Sequence, residues 1–286
     1  MYKILHFSPV RKELEIVKQH LTSLGNLRKS NINLTLSFFD DNIDVRSSSY
    51  LKYFVENTEG ALLHKFELMK SKNYIGEERW VPPLYQRITV IKNKVIEFFL
   101  NNDFDYLFLT DSDLIIQPLT LENLIEQRRD FCSSIFWTHF NNSFTYTPNA
   151  WFSKSKGFDI QDLINLKEKG IYAVDFTGAC TLLSRKILEK NVSFSKIPNI
   201  NYLGEDKHFC IRSAVMGFQP YVSTYYPAFH IYNSSYIKTG ELLLQTNFNY
   251  NYLDNWLNEE WIKEIEIWLR PKNKSLLKRI ITKLKQ

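Results

Sequence analysis

The alternation of short apolar segments with amphipathic segments, which continues to residue 130, most constrains the fold of this chain. Residues 2–7 (YKILHF) and 32–41 (INLTLSFFDD) have the composition of strands. Residues 12–25 and 85–102 carry apolar side chains at helical spacing. Because strands that alternate with helices usually pair in parallel, the pattern predicts an α/β fold: a mostly parallel sheet flanked by helices on both faces.

Several element boundaries follow from local signals. Gly25 is expected to end the first helix, and the serines of residues 47–49 are expected to cap a second. The adjacent prolines in residues 76–85 predict a loop. Thr120 is the expected N-cap of the helix that follows residue 118.

Two acidic breaks occur where predicted strands end. Residues 105–116 (DYLFLTDSDLII) form an apolar run that is interrupted by Asp111 and Asp113, and the strand of residues 32–41 ends in Asp40 and Asp41. Ligands of open parallel sheets bind at the carboxyl ends of the strands. The sequence therefore places a candidate ligand site at this edge.

The chemistry of these carboxylates favours a cation. Carboxylates that are close together and half-buried repel one another and lose hydration, so a positive group is expected between them. Oxygen ligands at such a position suit Mg²⁺ or Mn²⁺, usually shared with substrate phosphates. A solvated loop whose aspartates only cap the next helix is the alternative.

Two downstream segments contain further candidate residues. Residues 174–188 predict a strand that is interrupted by the small residues 178–180 and then a helix capped by Ser184. Residues 204–230 place Glu205 and Asp206 at a helix start and His230 after a strand. Phe209, Ala214 and Val215 are expected to line the buried side of that helix, and Gly217 to end it. Taken alone, the acids can be helix caps and the histidine a core residue.

In this order, these segments resemble the GT-A fold glycosyltransferases, specifically the bacterial family-2-like enzymes. The resemblance spans residues 4–232 and rests on SPVR, FFDDN, LFLTDSDL, GACTLLSR, GEDKHFCIR and PAFHIY. SPVR and the RITVIKNK helix also look loosely like the fungal mannan-polymerase subunit family. The resemblance implies a GT-A-like nucleotide-diphospho-sugar transferase fold that uses Mn²⁺ or Mg²⁺.

The resemblance assigns binding roles to particular residues. Asp113 would be the direct metal ligand, Asp111 a metal partner that acts through ribose or water, and His230 the residue that completes the ion's shell. The donor, a UDP- or GDP-sugar, would contact a larger set of residues. That set comprises Ser8, Pro9, Arg11, Asp40, Asp41, Arg87, Lys92, Asp111 and Ser112. Gly178 and Ala179 would floor the sugar or acceptor site, where a substrate approaches the backbone.

The resemblance also implies how the reaction proceeds. Asp206 would take the proton of the acceptor hydroxyl, and Glu205 would contact substrate hydroxyls. Inversion is favoured, and retention is the alternative because related folds host both outcomes. A haloacid-dehalogenase-like phosphatase is a second alternative, in which Asp111 would be the nucleophile, although that motif usually opens its fold. The intact acids and His230 argue against an inactive binding module.

Composition and charge narrow the class of protein and of partner. With 286 residues, 44% of them hydrophobic, the chain is long enough for one large domain or two small ones. A net charge of +5 does not by itself indicate nucleic-acid binding. Three separated cysteines, at 132, 180 and 210, are expected to be buried and reduced, which favours the cytoplasm. The acceptor would be a hydroxyl of a glycan, lipid or protein.

The predicted domains are a GT-A-like catalytic domain at residues 1–240 and a helical extension at residues 241–286. Residues 272–286 (KNKSLLKRIITKLKQ) place apolar and basic side chains on different faces of a helix, a pattern that suits an anionic membrane surface, the protein's own core or a partner subunit equally well. The aromatic residues Trp80, Trp137, Tyr146 and Trp151 flank the expected cleft. They would stack on sugars or simply pack.

Overall fold

The protein is built around one twisted sheet with helices on each side. A computed structural model describes residues 1–66, 82–140, 145–152, 160–200 and 204–269. The strands are β1 Tyr2–Val10, β2 Ile32–Asp40, β3 Leu62–His64, β4 Tyr106–Leu109, β5 Leu114–Ile115, β6 Phe131–Ser134, β7 Trp137–His139, β8 Tyr146–Pro148, β9 Ala150–Trp151, β10 Ile171–Ala173, β11 Phe176–Thr177, β12 Thr181–Ser184, β13 Tyr221–Ser223 and β14 Phe229–His230.

The helices occupy the connections between the strands. They are α1 Leu14–Gly25, α2 Val45–Glu56, α3 Pro82–Leu100, α4 Thr120–Glu126, α5 Ile160–Asn165, α6 Arg185–Leu188, α7 Glu205–Val215, α8 Ile237–Gln245, α9 Tyr252–Trp256 and α10 Glu259–Leu269. A short 3-10 helix, Ser234–Tyr236, precedes α8.

The main sheet has eight strands in the order β10, β13, β6, β12, β4, β1, β2, β3. Strand β1 pairs in parallel with both β2 and β4, so that Ile4 lies beside Leu34 on one side and Tyr106 on the other. Within this sheet β12 and β10 run against the other strands. The predicted mostly parallel sheet is therefore confirmed.

Alternate residues of the strands supply two separate cores, one on each face of the sheet. On one face Ile4 and Phe108 pack with residues of α1, α2 and α4. On the other face Leu5 and Leu107 pack with residues of α3, α6 and α7. This arrangement follows from the two-residue period of a strand that is buried on both sides, and it confirms that helices cover both faces.

Several predicted boundaries are wrong in detail. Asp44, not a serine, caps α2, because its side chain accepts a hydrogen bond from the amide of Arg46. The loop predicted for residues 76–85 extends too far, since α3 begins at Pro82, a position where the missing amide hydrogen costs nothing. Thr120 lies inside the first turn of α4, and the cap position belongs to Leu119.

The buried side of α7 also differs from the prediction. Phe209 is buried as expected, but Val215 is 80% exposed and Ala214 is exposed as well. The helix instead buries Glu205, His208 and Cys210. The buried stripe therefore includes charged and polar side chains, which hydrophobic periodicity cannot detect.

The helices that follow residue 237 pack against the same body. Trp256 contacts Phe229, and Trp261 packs edge-to-face on Trp137. A boundary at residue 240 stays a prediction, and the basic tail of residues 272–286 lies outside the described residues. In the described part of the chain, no helix combines the length and the apolar character that crossing a bilayer requires.

Candidate functional site

The acidic interruption of residues 105–116 is a point where the chain leaves the main sheet. Strand β4 ends at Leu109, and Leu114 and Ile115 form the separate strand β5, which pairs with β14. Asp111, Ser112 and Asp113 occupy the turn between the two strands, where the Leu114 amide donates to the Asp111 carbonyl. The carboxyl ends of β1 and β2 lie at the same edge of the sheet. The aspartates can interrupt the apolar run of residues 105–116 because the strand of the main sheet, β4, has already ended before them.

Asp113 is buried and holds two basic partners. Its Oδ2 lies 3.0 Å from the ammonium of Lys12 and 3.2 Å from Nε2 of His230. Burial alone would raise the pKa of Asp113, but Lys12 and His230 outweigh it and hold that pKa well below its usual range. The second oxygen, Oδ1, is buried and accepts no hydrogen bond from the described residues.

Secondary structure fixes His230 beside Asp113. The pairing of β5 with β14 places His230 opposite Leu114, and the Ile231 amide donates to the Asp113 carbonyl at 2.9 Å. Nδ1 of His230 is hydrogen-bonded to the hydroxyl of Thr138 at 2.7 Å. A partner on one ring nitrogen orients the other, so the fold directs Nε2 toward the carboxylate.

A second charged cluster lies at the start of α7. The ammonium of Lys92, on α3, is 2.7 Å from Glu205 Oε1 and 2.8 Å from Asp206 Oδ1. Only 4% of the Lys92 side chain is exposed. Burial lowers the pKa of Lys92, but the charges of Asp206, Glu205 and Asp111 together raise this pKa by more than burial lowers it. The lysine therefore stays charged.

Asp206 and Asp111 are both harder to ionise than ordinary aspartates. Burial, partly opposed by Lys92 and reinforced by Glu205, raises the pKa of Asp206 to about 7. Burial, again opposed by Lys92 and reinforced by Asp113, raises the pKa of Asp111 to about 6. The interaction of Asp111 with both clusters makes them one electrostatic site. A carboxylate with a pKa near neutrality is suited to accept and release a proton.

The turn between β11 and β12 brings residues 178 and 179 to this site. A Cβ on Gly178 would collide with the carboxylate of Asp206, so the position is small because Asp206 occupies the space. Ala179 has a φ of 73°, a left-handed conformation that is uncommon for alanine and persists only where the surrounding structure holds it. Asn149 holds the turn by donating to the Gly178 carbonyl at 2.9 Å.

Asp40 and Asp41 have different surroundings although they are neighbours. Asp40 accepts hydrogen bonds from the Asn42 side chain at 2.8 Å and from Ser48 at 3.1 Å, which ties β2 to α2. Asp41 accepts from Arg11 at 3.3 Å and from the guanidinium of Arg87, with Nε at 2.7 Å. The structure therefore gathers Arg11, Asp41 and Arg87 in one charged group next to the ends of β1 and β2.

The remaining residues that were predicted to contact the nucleotide sugar lie partly in the protein interior and partly at the site. Ser8 is fully buried, and its hydroxyl hydrogen bonds to His20 on α1 at 3.1 Å. Pro9 is half-buried near the end of β1. The hydroxyl of Ser112 accepts from the Arg11 amide at 3.3 Å. Ser112 thus links the first strand-end loop to the acidic turn.

The candidate aromatic residues mainly pack. Trp137 is buried, and Tyr146 stacks on Trp256 with ring centroids 4.3 Å apart. Trp151 is half-buried, with the ammonium of Lys207 5.5 Å from its ring. Trp80 lies outside the described residues. The three cysteines are buried and unpaired, as the sequence predicted.

Sequence reasoning missed three residues of the site: Lys12, Thr138 and Asn149. Lys12 follows the predicted Arg11, and a basic residue next to a strand-end motif was a usable signal. Thr138 and Asn149 act through hydrogen bonds to His230 and Gly178. Nothing in the local pattern identifies such partners, since they are distant in sequence.

The acidic turn fits a divalent cation only in part. Within the described ranges, no group of three or more His, Cys, Asp or Glu side chains is already arranged as a metal cluster. The buried Oδ1 of Asp113 nevertheless lacks a hydrogen-bond partner there, and His230 Nε2 lies beside the same carboxylate. Carboxylate oxygen and imidazole nitrogen are suitable donors for Mn²⁺. Asp113, His230 and Asp111 are thus the residues available to hold an ion.

Comparisons with known proteins identify the fold. No protein family matches the sequence, and no curated protein matches it either. Among solved structures, a mannosyltransferase from Pyrobaculum calidifontis in complex with GDP-Man and Mn²⁺ is similar with a TM-score of 0.50 and 11% sequence identity. The similarity covers 94% of this chain and 70% of that one.

The structure of S. aureus TarS 1–349 is similar with a TM-score of 0.48 and 14% identity, covering 96% of this chain and 74% of that one. The chain therefore shares the α/β fold of the mannosyltransferase, a mainly parallel central sheet flanked by helices. The predicted fold class is confirmed.

Proposed function

We propose that this protein is a glycosyltransferase that moves a sugar from a nucleoside-diphosphate donor to a hydroxyl acceptor. The observation that carries the proposal is the meeting of two acidic groups at the carboxyl edge of the sheet. One consists of Asp111 and Asp113 with His230, and the other of Glu205 and Asp206 beside Gly178. The shared fold of a mannosyltransferase supports the same class of reaction.

The first acidic group is the proposed site of a Mn²⁺ or Mg²⁺ ion and of the donor diphosphate. Asp113, His230 and Asp111 would hold the ion, which when bound neutralises the charge that develops on the leaving diphosphate. Lys12 adds a fixed positive charge at the same point, 3.0 Å from Asp113. The neighbouring group of Arg11, Asp41 and Arg87 is the proposed contact for the nucleotide.

The second acidic group is the proposed site of proton transfer. Asp206 would take the proton from the acceptor hydroxyl as it attacks the sugar carbon, which suits a pKa of about 7. The carboxylate lies against Gly178 and near the left-handed Ala179, so this turn is the proposed floor of the acceptor site. Glu205 pairs with Lys92, and Lys92 in turn contacts Asp206.

A screen of UDP- and GDP-sugars for release of nucleoside diphosphate tests the proposal. Release is expected with Mn²⁺ or Mg²⁺ and is expected to fall to background with EDTA. In calorimetry, Asp113→Ala should lose metal-dependent binding of UDP or GDP while keeping the circular dichroism spectrum of the parent. Unchanged nucleotide affinity in Asp113→Ala would remove Asp113 from the metal site.

The stereochemical course is proposed to be inversion, because an acid at the start of α7 can lie opposite the leaving group. On this proposal Asp206→Asn lowers the chemical step by about 10²–10⁴-fold, the usual value of a positioned base. Donor affinity should change little, since the metal-binding residues are separate. Proton NMR of the product anomer decides the point: a retained configuration excludes Asp206 as the inverting base.

The phosphatase alternative has no support in the fold. In such an enzyme Asp111 would have to act as an ionised nucleophile, whereas burial raises its pKa to about 6. Four strands of the main sheet precede the acidic turn, although the phosphatase motif usually opens its fold. The identity of the acceptor is left to experiment, with glycan, lipid and protein hydroxyls as the candidates.

A further inference from the structure

Lys92 has a different environment from the other basic residues at the site. It lies on the buried side of α3, is 3% exposed as a whole residue, and contacts two carboxylates of α7. Its ammonium is also 5.0 Å from the ring of Phe194. A cation that is enclosed in this way has its donors directed at fixed partners, so Lys92 is poorly placed to reach a donor phosphate.

The enclosure of Lys92 is itself built from hydrogen bonds. Asn93 accepts from the Phe194 amide at 2.8 Å and donates to the Ser195 hydroxyl at 2.9 Å. Arg212 donates to the Ser193 carbonyl at 3.0 Å, and Phe194 stacks on Phe209 with centroids 4.4 Å apart. The segment that covers Lys92 is therefore anchored to both α3 and α7. Excluding water strengthens an ion pair and penalises any charge left without a partner.

The two oxygens of Asp206 are used differently. Oδ1 accepts from Lys92 at 2.8 Å, whereas Oδ2 is directed at Gly178, in the space where a Cβ would otherwise stand. Lys92, Gly178 and Asp206 line one small cavity, together with Ala179. One oxygen is thus fixed by the lysine and the other faces the turn that we assign to the acceptor site.

We propose that Lys92 is a positioning residue, whose ammonium fixes Asp206 with one oxygen held and the other free for the acceptor proton. This inference rests on the proposed role of Asp206 as base. It deepens that role, because Glu205 then serves as the second anchor of the lysine and not as an independent group. The rival interpretation, in which Lys92 binds the donor phosphate, predicts a different set of kinetic changes.

The test compares Lys92→Met/Glu205→Gln with the parent enzyme. The double variant removes one charge of each sign, so it avoids leaving the buried Glu205 and the half-buried Asp206 both charged without a cation. A positioning role predicts a fall in kcat of roughly 10–100-fold, smaller than the roughly 10²–10⁴-fold expected for loss of the base itself, with unchanged donor affinity. Compared with Glu205→Gln alone, in which the glutamate charge is already absent, it also predicts that the acidic limb of the kcat profile of the double variant moves to higher pH, by roughly 1–3 pH units for loss of a contacting charge.

Controls separate this inference from the proposed function. Lys94→Met lies two residues along the same helix, about 200° around it, and should leave kcat and the pH profile unchanged. Glu205→Gln alone shows how much of the effect belongs to the glutamate. Weakened donor binding with an unmoved acidic limb would assign Lys92 to phosphate and overturn the inference while leaving the glycosyltransferase intact.

A measurement without substrate covers the case in which no donor is turned over. Lys92→Met, Asp206→Asn and their combination form a double-mutant cycle in the free energy of unfolding, each made in the Glu205→Gln background. If Lys92 holds Asp206 directly, the two substitutions are strongly coupled. Asp206→Asn then lowers the free energy of unfolding far less in the absence of the lysine than in its presence. Additive effects would overturn the inference whatever the reaction proves to be.

Discussion

At the scale of single residues, the site depends on which cation each buried carboxylate meets. Asp113 meets Lys12, and Glu205 and Asp206 meet Lys92. Removing one partner of a buried pair is costly, because the remaining charge has neither water nor a partner. The lysines are therefore expected to be as intolerant of substitution as the acids.

A buried histidine links this site to stability. His20 is fully buried, donates from Nδ1 to the Leu114 carbonyl at 2.7 Å, and accepts from Ser8 at Nε2. Burial lowers the pKa of His20 from 6.5 to about 4, although the Leu114 hydrogen bond and Asp113 oppose the shift. At pH values between about 4 and 6.5, His20 is protonated in the unfolded chain and neutral in the folded protein.

The resulting prediction is a loss of stability as pH falls from 6.5 to about 4, and none from this group above 6.5. His20 alone contributes up to roughly 3 kcal/mol across that window. Urea unfolding at a series of pH values measures it. His20→Gln should reduce the slope, and part of it should remain because burial also lowers the pKa values of His6 and His64. An equal slope in His20→Gln and the parent would contradict the assignment.

At the scale of elements, short strand pairs and one turn carry the precision of the site. The pairing of β5 with β14 sets His230 against Asp113, and the β11–β12 turn sets Gly178 against Asp206. These elements are only two to four residues long. Hydrogen bonds such as that from Asn149 to the Gly178 carbonyl help to hold them in position.

Two adjacent positions of the β11–β12 turn are expected to differ in their tolerance of substitution. Gly178→Ala puts a Cβ where the Asp206 carboxylate lies and should cost roughly 1–3 kcal/mol of stability, as overpacking does. It should also reduce turnover, because Asp206 must move. Ala179→Gly relieves a left-handed φ of 73° and should change stability by about 1 kcal/mol or less. Urea unfolding and a donor-turnover assay measure both. A fully stable and active Gly178→Ala would contradict this geometry.

At the scale of the whole molecule, the C-terminal helices complete the core of the sheet domain. Trp261 is 2% exposed, and its Nε1 donates to the Tyr146 carbonyl at 2.9 Å. Ile265 is buried in the same cluster as Val222 of β13. The helices after residue 245 are therefore expected to be required for stability, whether or not residue 240 marks a domain boundary.

Two truncations test the roles of the extension and of its tail. A chain that ends at residue 245 loses Trp261, whose burial alone is worth roughly 3–5 kcal/mol, and should unfold at much lower urea. A chain that ends at residue 271 should keep the unfolding midpoint of the parent. It should also lose any sedimentation with anionic liposomes at low salt that the basic tail gives the parent. If the parent protein does not sediment with such liposomes, the tail has no role in membrane binding.

Local patterns in the sequence determined the order of the longer strands and helices to about residue 130 and the edge at which the acids meet, but not the short strand β3 or the separation of β5 from β4. Hydrophobic period and turn residues are properties of neighbouring positions, so they can be read without the fold. The same holds for Asp111 and Asp113 at the end of β4 and for Glu205 at the start of α7. Where polar contacts replaced the apolar period, as on α7 or at the cap of α2, the prediction failed.

Only the tertiary structure decided which charges meet. Lys92 and Glu205 are 113 residues apart in the chain, and the packing of α3 against α7 brings them together. Lys12 meets Asp113 because β1 and β4 are neighbours in the sheet. Strand order and helix rotation set such contacts, and the burial that results sets the pKa of each acid. These quantities depend on the packed whole, and no short window of residues contains them.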